Sequence, residues 1–243
     1  MMRYFLWFSY DGTAYHGWQV QPYANSVQAE IQTALSTILR NNVEVVGAGR
    51  TDAGVHARRM SAHFDFDGDI DCKQLTYKLN RLLPNDISIE RVEIVSSEMH
   101  ARFSATARTY HYYIHLYKNP FLRAYSYETH FNLNFDLMNI AAEMLLKYND
   151  FASFCKSHTD VKTTICNVTE AKWIRIDENS YYFRITANRF LRNMVRAVVG
   201  TLVEVGRGRI SLEEFQRIVE GKDRCKAGES MPGHALFLED VRY

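Results

Sequence analysis

The chain has 243 residues, 47% of them hydrophobic, enough to bury one large core or two smaller ones without staples, and a formal charge of +1 gives no global argument for a nucleic-acid partner. Its four cysteines, Cys72, Cys155, Cys166 and Cys225, include no CxxC pair. They suggest neither a zinc site nor a disulfide framework and fit a reducing cytoplasm, and since no apolar run approaches membrane length a soluble protein is expected.

In chain order, residues 4–9 read as a strand and 27–39 as a helix, because Val27, Ile31, Leu35, Ile38 and Leu39 recur at three- and four-residue spacing. A second strand is expected at 43–46. After a Gly-rich segment, Met60, Ala62, Phe64 and Phe66 alternate as a half-buried strand does. Leu75, Leu79 and Leu82 mark another helix, ended by Pro84, and a fourth strand follows at 87–95. The order β-α-β-β-α-β is ferredoxin-like, with two helices on one face of an antiparallel sheet.

The second half repeats the plan, with a strand at 108–116, a helix at 137–146, and strands at 168–176 and 181–185 joined by the turn Asp177-Glu178-Asn179-Ser180. Phe190, Met194, Val198 and Leu202 share one face of the next helix, with Gly206 as its C′ residue. Ser211 and Glu214 form a capping box for a short helix, and a closing strand runs over 236–241. The expected fold is α+β, two ferredoxin-like halves with antiparallel sheets and a central cleft, divided as 1–103 and 104–243.

The segment Gly49-Arg50-Thr51-Asp52-Ala53-Gly54-Val55-His56-Ala57 sets one arginine and one carboxylate among glycines and alanines. A tight connection explains such segments in general, glycine supplying φ > 0 and Asp or Thr capping the turn. This one is longer than a hairpin needs. Small side chains on both sides of Asp52 let a large planar ligand approach the backbone, which favours a site.

Other features read as structural. Asp65-Phe66-Asp67-Gly68-Asp69 opens like a calcium loop, but Ile70 and Thr76 stand where Gly and a bidentate Glu are required, so it is a solvated turn. Cys155 and His158 make half a zinc pattern without its second half. No metal or cofactor is implied. His56 and His100 read as structural histidines. Between residues 184 and 209, six arginines (Arg184, Arg189, Arg192, Arg196, Arg207 and Arg209) face one acid, Glu204, a basic stretch suited to a polyanion.

The Asp52 segment closely resembles the signature of the tRNA pseudouridine synthase A family, whose members act on the anticodon stem-loop. Further similarity runs along almost the whole chain: Tyr10-Asp11-Gly12-Thr13, Gly17-Trp18-Gln19, His100-Ala101-Arg102-Phe103-Ser104-Ala105, Arg108-Thr109-Tyr110, Asn149-Asp150-Phe151, Ser153-Phe154, and Phe190 to Arg196 followed by Val199-Gly200. The sequence departs from the pattern before the final strand, where an Ala-Pro-Ala-like segment is usual and this chain has Ser230-Met231-Pro232-Gly233.

The resemblance implies isomerisation of uridine to pseudouridine at tRNA positions 38 to 40, without a cofactor, by a homodimer. It makes Asp52 the nucleophile, with attack on the base, attack on the sugar and assistance to glycal formation all open. Arg196 becomes the partner that keeps Asp52 ionised, and Tyr110 the ring that stacks on the target uracil and helps remove the C5 proton. Arg50 either bonds loop carbonyls or holds the uridine out of its stack. Two other functions compete. A non-catalytic RNA-binding module has no use for a carboxylate facing phosphates. A carboxylate-nucleophile phosphotransferase or hydrolase needs a metal-binding set of acids or a phosphate-cradling loop, neither of which is evident.

Overall fold

Five consecutive buried side chains, from Tyr4 to Phe8, place the first strand at the centre of a sheet covered on both faces. This is β1 (Met2–Tyr10) of a computed structural model that describes residues 1–156 and 162–243. Tyr4, Leu6 and Phe8 point one way, where Tyr4 stacks on Phe64 at 5.3 Å and Phe8 on Trp18 at 5.4 Å. Phe5 and Trp7 point the other way and pack with Ala101, Val95, Met99 and Tyr243.

The chain divides into two compact units, residues 1–106 with 237–243, and residues 107–236. In the first, β1 pairs antiparallel with β3 (His56–Phe66) and β4 (Ile87–Val95), and the two-residue β2 (Val46–Gly47) pairs antiparallel with β3. Helix α1 (Val27–Leu39) begins where expected, with the Ser26 hydroxyl accepting from the Ala29 amide. It packs beside α2 (Cys72–Leu82), which lies against β4.

Two expectations for this unit change. The strand at 43–46 shrinks to Val46–Gly47 because α1 takes its backbone groups: the Val43 amide donates to Ser36 Oγ at 3.1 Å and the Val45 amide to Gln32 Oε1 at 3.1 Å. The alternation in β3 does not make it half-buried, since Ser61 and His63 are buried as well. The 96–104 connection and the C-terminal residue cover that face, with Ser61 Oγ bonded to Tyr243 and His63 Nδ1 accepting the Ala101 amide at 3.1 Å.

Burial, reinforced by Arg3, pushes the His63 pKa down to about 4. Because the unfolded histidine protonates near 6.5, the folded state binds fewer protons between pH 6.5 and about 4, and stability is lost as pH falls through that window. The expected loss from this residue is on the order of 2 kcal/mol. Denaturation midpoints at pH 7.5 and 4.5 measure it, and His63→Asn, which can still accept but does not titrate, should flatten the difference. An equal loss in both proteins assigns the pH dependence elsewhere.

In the second unit β8 (Ser180–Ala187) runs antiparallel to both β5 (Ala107–His115) and β7 (Val168–Arg175), and β6 (Tyr127–Glu128) lies parallel to β5. The turn before β8 forms as expected, with Asp177 Oδ1 accepting the Asn179 amide at 2.8 Å. Helix α3 (Phe135–Met144) packs on β7, on α4 (Met194–Gly206) and on α5 (Leu212–Gly221). Ser211 caps α5 by accepting the Glu214 amide at 3.2 Å.

Helix α4 differs from its expected form at both ends. Asn193, at φ 67°, stops it from reaching back to Phe190. Gly206 is its last helical residue rather than the residue beyond it, and a Cβ there would lie 2.4 Å from Met138 Sδ of α3, so this glycine serves close packing. Gly208, at φ 71°, takes the left-handed position. The closing strand β9 (Leu236–Arg242) groups almost wholly with the first unit and runs parallel to β3, with His56 opposite Phe237 and Ala57 opposite Leu238.

Candidate active site

In the first unit, the Asp52 segment is an irregular loop lying on a bed made by two other segments. The Trp18 amide donates to Thr51 O at 3.3 Å, the Gly54 amide to Tyr15 O at 3.2 Å, and the Tyr10 hydroxyl meets Thr51 Oγ1 at 2.8 Å. Within the loop the Val55 amide donates to Asp52 O at 3.2 Å. Tyr15 is itself fixed, its buried hydroxyl donating to Asp86 Oδ1 at 2.7 Å. Main-chain tethers on either side thus hold the backbone of Asp52, whose side chain is half-buried.

The bed explains two glycines. A Cβ on Gly12 would lie 2.1 Å from Val55 O, and one on Gly17, which has φ 94°, would lie 2.3 Å from Thr51 O. Only glycine permits these approaches. The loop's own glycines divide differently: Gly54 takes φ 73°, a conformational need, whereas a Cβ on Gly49 would meet nothing within 4 Å. The fold does not require glycine at 49, so its missing side chain leaves room beside the loop.

Gly17→Ala is therefore expected to cost about 1–3 kcal/mol and to disorder the loop. Gly49→Ala should stay within about 0.5 kcal/mol of wild type yet slow the single turnover that the resemblance implies. Thermal melts and rapid-quench assays on the two variants test this. A wild-type rate for Gly49→Ala removes the steric role given to that glycine.

His56 anchors the same bed. It is buried, stacks on Phe237 at 4.5 Å, and sets Nδ1 3.0 Å from both the Gly12 amide and Asp11 Oδ1. A lone pair on Nδ1 serves Gly12 and a proton there serves Asp11, so the ring ties down the end of β1 in either form. His100 is also a scaffold group: Nδ1 accepts the Arg102 amide at 3.1 Å and the Phe103 amide at 3.3 Å, and burial lowers its pKa. Arg50 is exposed beside Asp52.

The second unit carries Tyr110 and Arg196, and there the structure separates three tyrosines that the sequence places side by side. Tyr112 is fully buried, donates to Pro232 O at 3.1 Å and has its pKa pushed up by burial. Tyr113 points to the opposite face and stacks on Tyr182 at 5.6 Å. Tyr110 is half-buried, with the edge of Phe190 against it at 5.1 Å, an aromatic support that sequence reasoning assigned to a helix face instead.

Arg196, in the first turn of α4, is half-buried rather than a solvated helix arginine. Its Nε donates to Met231 O, while its own carbonyl accepts the Met231 amide at 3.1 Å. The departure at 230–233 is thus the stretch that braces Arg196, and Met231 is buried there.

The basic stretch is less open than its composition suggests. Arg184 pairs with Glu170 at 3.0 Å, and Glu204 accepts both Arg207 at 2.7 Å and Arg209 at 3.4 Å. Arg207 also lies over Phe131, 3.5 Å from the ring centre. Among the described residues no group of three or more His, Cys, Asp or Glu is placed to hold a metal. Asp65 pairs with Arg3 at 2.8 Å, and His158 of the half zinc pattern lies outside the described residues.

The α+β frame thus presents a braced carboxylate loop in one unit, and a half-buried tyrosine and arginine in the other. A family model described as tRNA pseudouridine synthase matches residues 7–104 and 141–243. The chain is 56% identical to tRNA pseudouridine synthase A of Bacteroides fragilis, with 100% of this chain and 97% of that protein covered. It is 40% identical to the protein of the same name from Bacillus subtilis, over 100% of this chain and 99% of that protein. The chain belongs to the tRNA pseudouridine synthase family, isomerases that convert uridine to pseudouridine in tRNA.

Proposed function

We propose that the chain isomerises uridines at positions 38 to 40 of the tRNA anticodon stem-loop, with Asp52 as the nucleophile. The observation that carries this reading is the loop itself: Thr51 and Gly54 are tethered on either side of Asp52, and the space beside Gly49 is open. Tethering fixes the backbone that carries the carboxylate before substrate arrives, which favours a nucleophile that gains from orientation. In the reaction the N1–C1′ bond breaks, the uracil turns, C5 bonds to C1′, the C5 proton leaves and N1 gains one, so that the atoms balance as an isomerisation requires. A carboxylate suits it because it can attack and later depart.

The other roles follow in the same reading. Arg196 pairs with Asp52 and keeps it ionised, and Tyr110 stacks on the uracil and assists loss of the C5 proton. Arg50 helps to hold the extruded uridine. The β-α-β-β-α-β order of residues 2–95 and its echo from β5 to β9 support two ferredoxin-like halves, divided near residue 104. The working form is a homodimer in the cytoplasm. No helix among the described residues is long and apolar enough to cross a membrane.

Release of tritium from tRNA labelled at uracil C5 tests the activity, and mapping of pseudouridine in the product tests the positions. Release with product at 38 to 40 is expected. Binding without release leaves an RNA-binding module, and product at other positions moves the target.

A further inference from the structure

The strap formed by residues 228–232 is pinned to α4 far more closely than ordinary packing needs. A Cβ on Gly200 would lie 1.8 Å from Glu229 O, and one on Gly228 would lie 2.9 Å from the Gly200 carbonyl carbon. The Gly228 amide donates to Thr201 Oγ1 at 2.9 Å. Two residues further on, Ser230 Oγ accepts from Asn193 Nδ2 and from Arg224 Nη2, the latter at 2.8 Å. Arg224 Nη1 donates to Gly228 O at 3.0 Å, so one guanidinium ties the start of the strap to its midpoint.

The next residue, Met231, brackets Arg196 by accepting from its Nε and donating to its carbonyl. An arginine fixed at Nε by a main-chain carbonyl has the plane of its guanidinium set by where that carbonyl lies. Met231 O lies where the strap puts it. Ser230 is the last pin before it, joining the strap to Asn193 at the start of α4, three residues ahead of Arg196.

We infer that Ser230, held by Asn193 and Arg224, is a positioning residue that aims the guanidinium of Arg196 through the Met231 carbonyl. The inference rests on the reading of Arg196 as the partner of the nucleophile. Ser230 uses both lone pairs as an acceptor, so threonine replaces it in kind and alanine strands two donors.

The test is a double-mutant cycle read by single-turnover rate at saturating enzyme, with the Kd for an unmodified tRNA transcript and the melting temperature measured alongside. Ser230→Ala is expected to slow the reaction roughly tenfold while the Kd stays within about twofold, because misaimed groups lose rate before they lose binding. Ser230→Thr should restore the rate, and Arg224→Met should reproduce the loss by removing the other end of the pin. In an Arg196→Met background, Ser230→Ala should add almost nothing. Additive losses, or wild-type rates for Ser230→Ala and Arg224→Met beside a slow Arg196→Met, overturn the inference alone. A wild-type rate for Arg196→Met overturns the reading of Arg196 and the inference with it.

Discussion

Asp52→Asn is expected to fold as the wild type does, to bind tRNA with unchanged affinity, and to form no pseudouridine. The tethers that shape its loop run through Thr51, Gly54 and the Asp52 carbonyl, none of which the substitution touches. The amide fills the same volume but cannot attack carbon and then depart, so the rate should fall on the order of 10⁴-fold or more, as when a nucleophile is removed from an otherwise intact site. Quantifying pseudouridine by mass spectrometry after long incubation with excess enzyme gives the needed range. Product within tenfold of wild type from a preparation free of host enzyme would remove Asp52 from its role.

Much of this frame could be read from periodicity alone. Helix α1 and strand β4 start and stop at the expected residues because their signals are local: Ser26 caps one, and Pro84 and the alternation of apolar residues delimit the other. The failures have non-local causes. The strand at 43–46 was lost to Ser36 and Gln32 of α1, and β3 is covered on its polar-looking face by residues far along the chain, Ala101 and Tyr243. No window around residues 60–66 contains that information. For Gly206 the local signal pointed to a helix end, and packing against Met138 gave the glycine a different use.

The candidate site residues were legible in part for the same reason. Asp52 and Arg196 stand out because a carboxylate or arginine among small or apolar neighbours is costly unless used, whereas Tyr110 is marked only by the motif it shares with the family. Their supports do not stand out. Tyr10 on Thr51, Tyr15 on Gly54, Phe190 on Tyr110 and Met231 on Arg196 are ordinary residues in ordinary patterns, and only their contacts give them meaning. The signal that could have found the bed under the Asp52 loop was Gly17, a glycine with no turn dipeptide to justify it. In the basic stretch, Glu170 pairs with Arg184 from outside the segment that a local count covers.

Replacing Arg196 and Arg50 separately should give two different defects, because one is expected to act on the carboxylate and the other on the substrate's conformation. Arg196→Met removes a charged donor from a half-buried position and leaves Met231 O without it. A fully buried pair costs about 3–5 kcal/mol to break, and partial solvation reduces that to about 1–3 kcal/mol here. If Arg196 is the partner proposed for the carboxylate, chemistry should slow about 100-fold with it, whatever the substrate. Arg50 is exposed, so Arg50→Ala should leave stability within about 0.5 kcal/mol of wild type and slow a step before chemistry. Extruding a uridine from a stem costs roughly a few kcal/mol, and without Arg50 less of that cost is offset. The Arg50→Ala defect should therefore shrink on a tRNA whose target uridine is mismatched, while the Arg196→Met defect should not. Single-turnover rates for both variants and wild type on paired and mismatched tRNA decide it: equal rescue of both, or of neither, means that the two arginines do not divide the work between carboxylate and base.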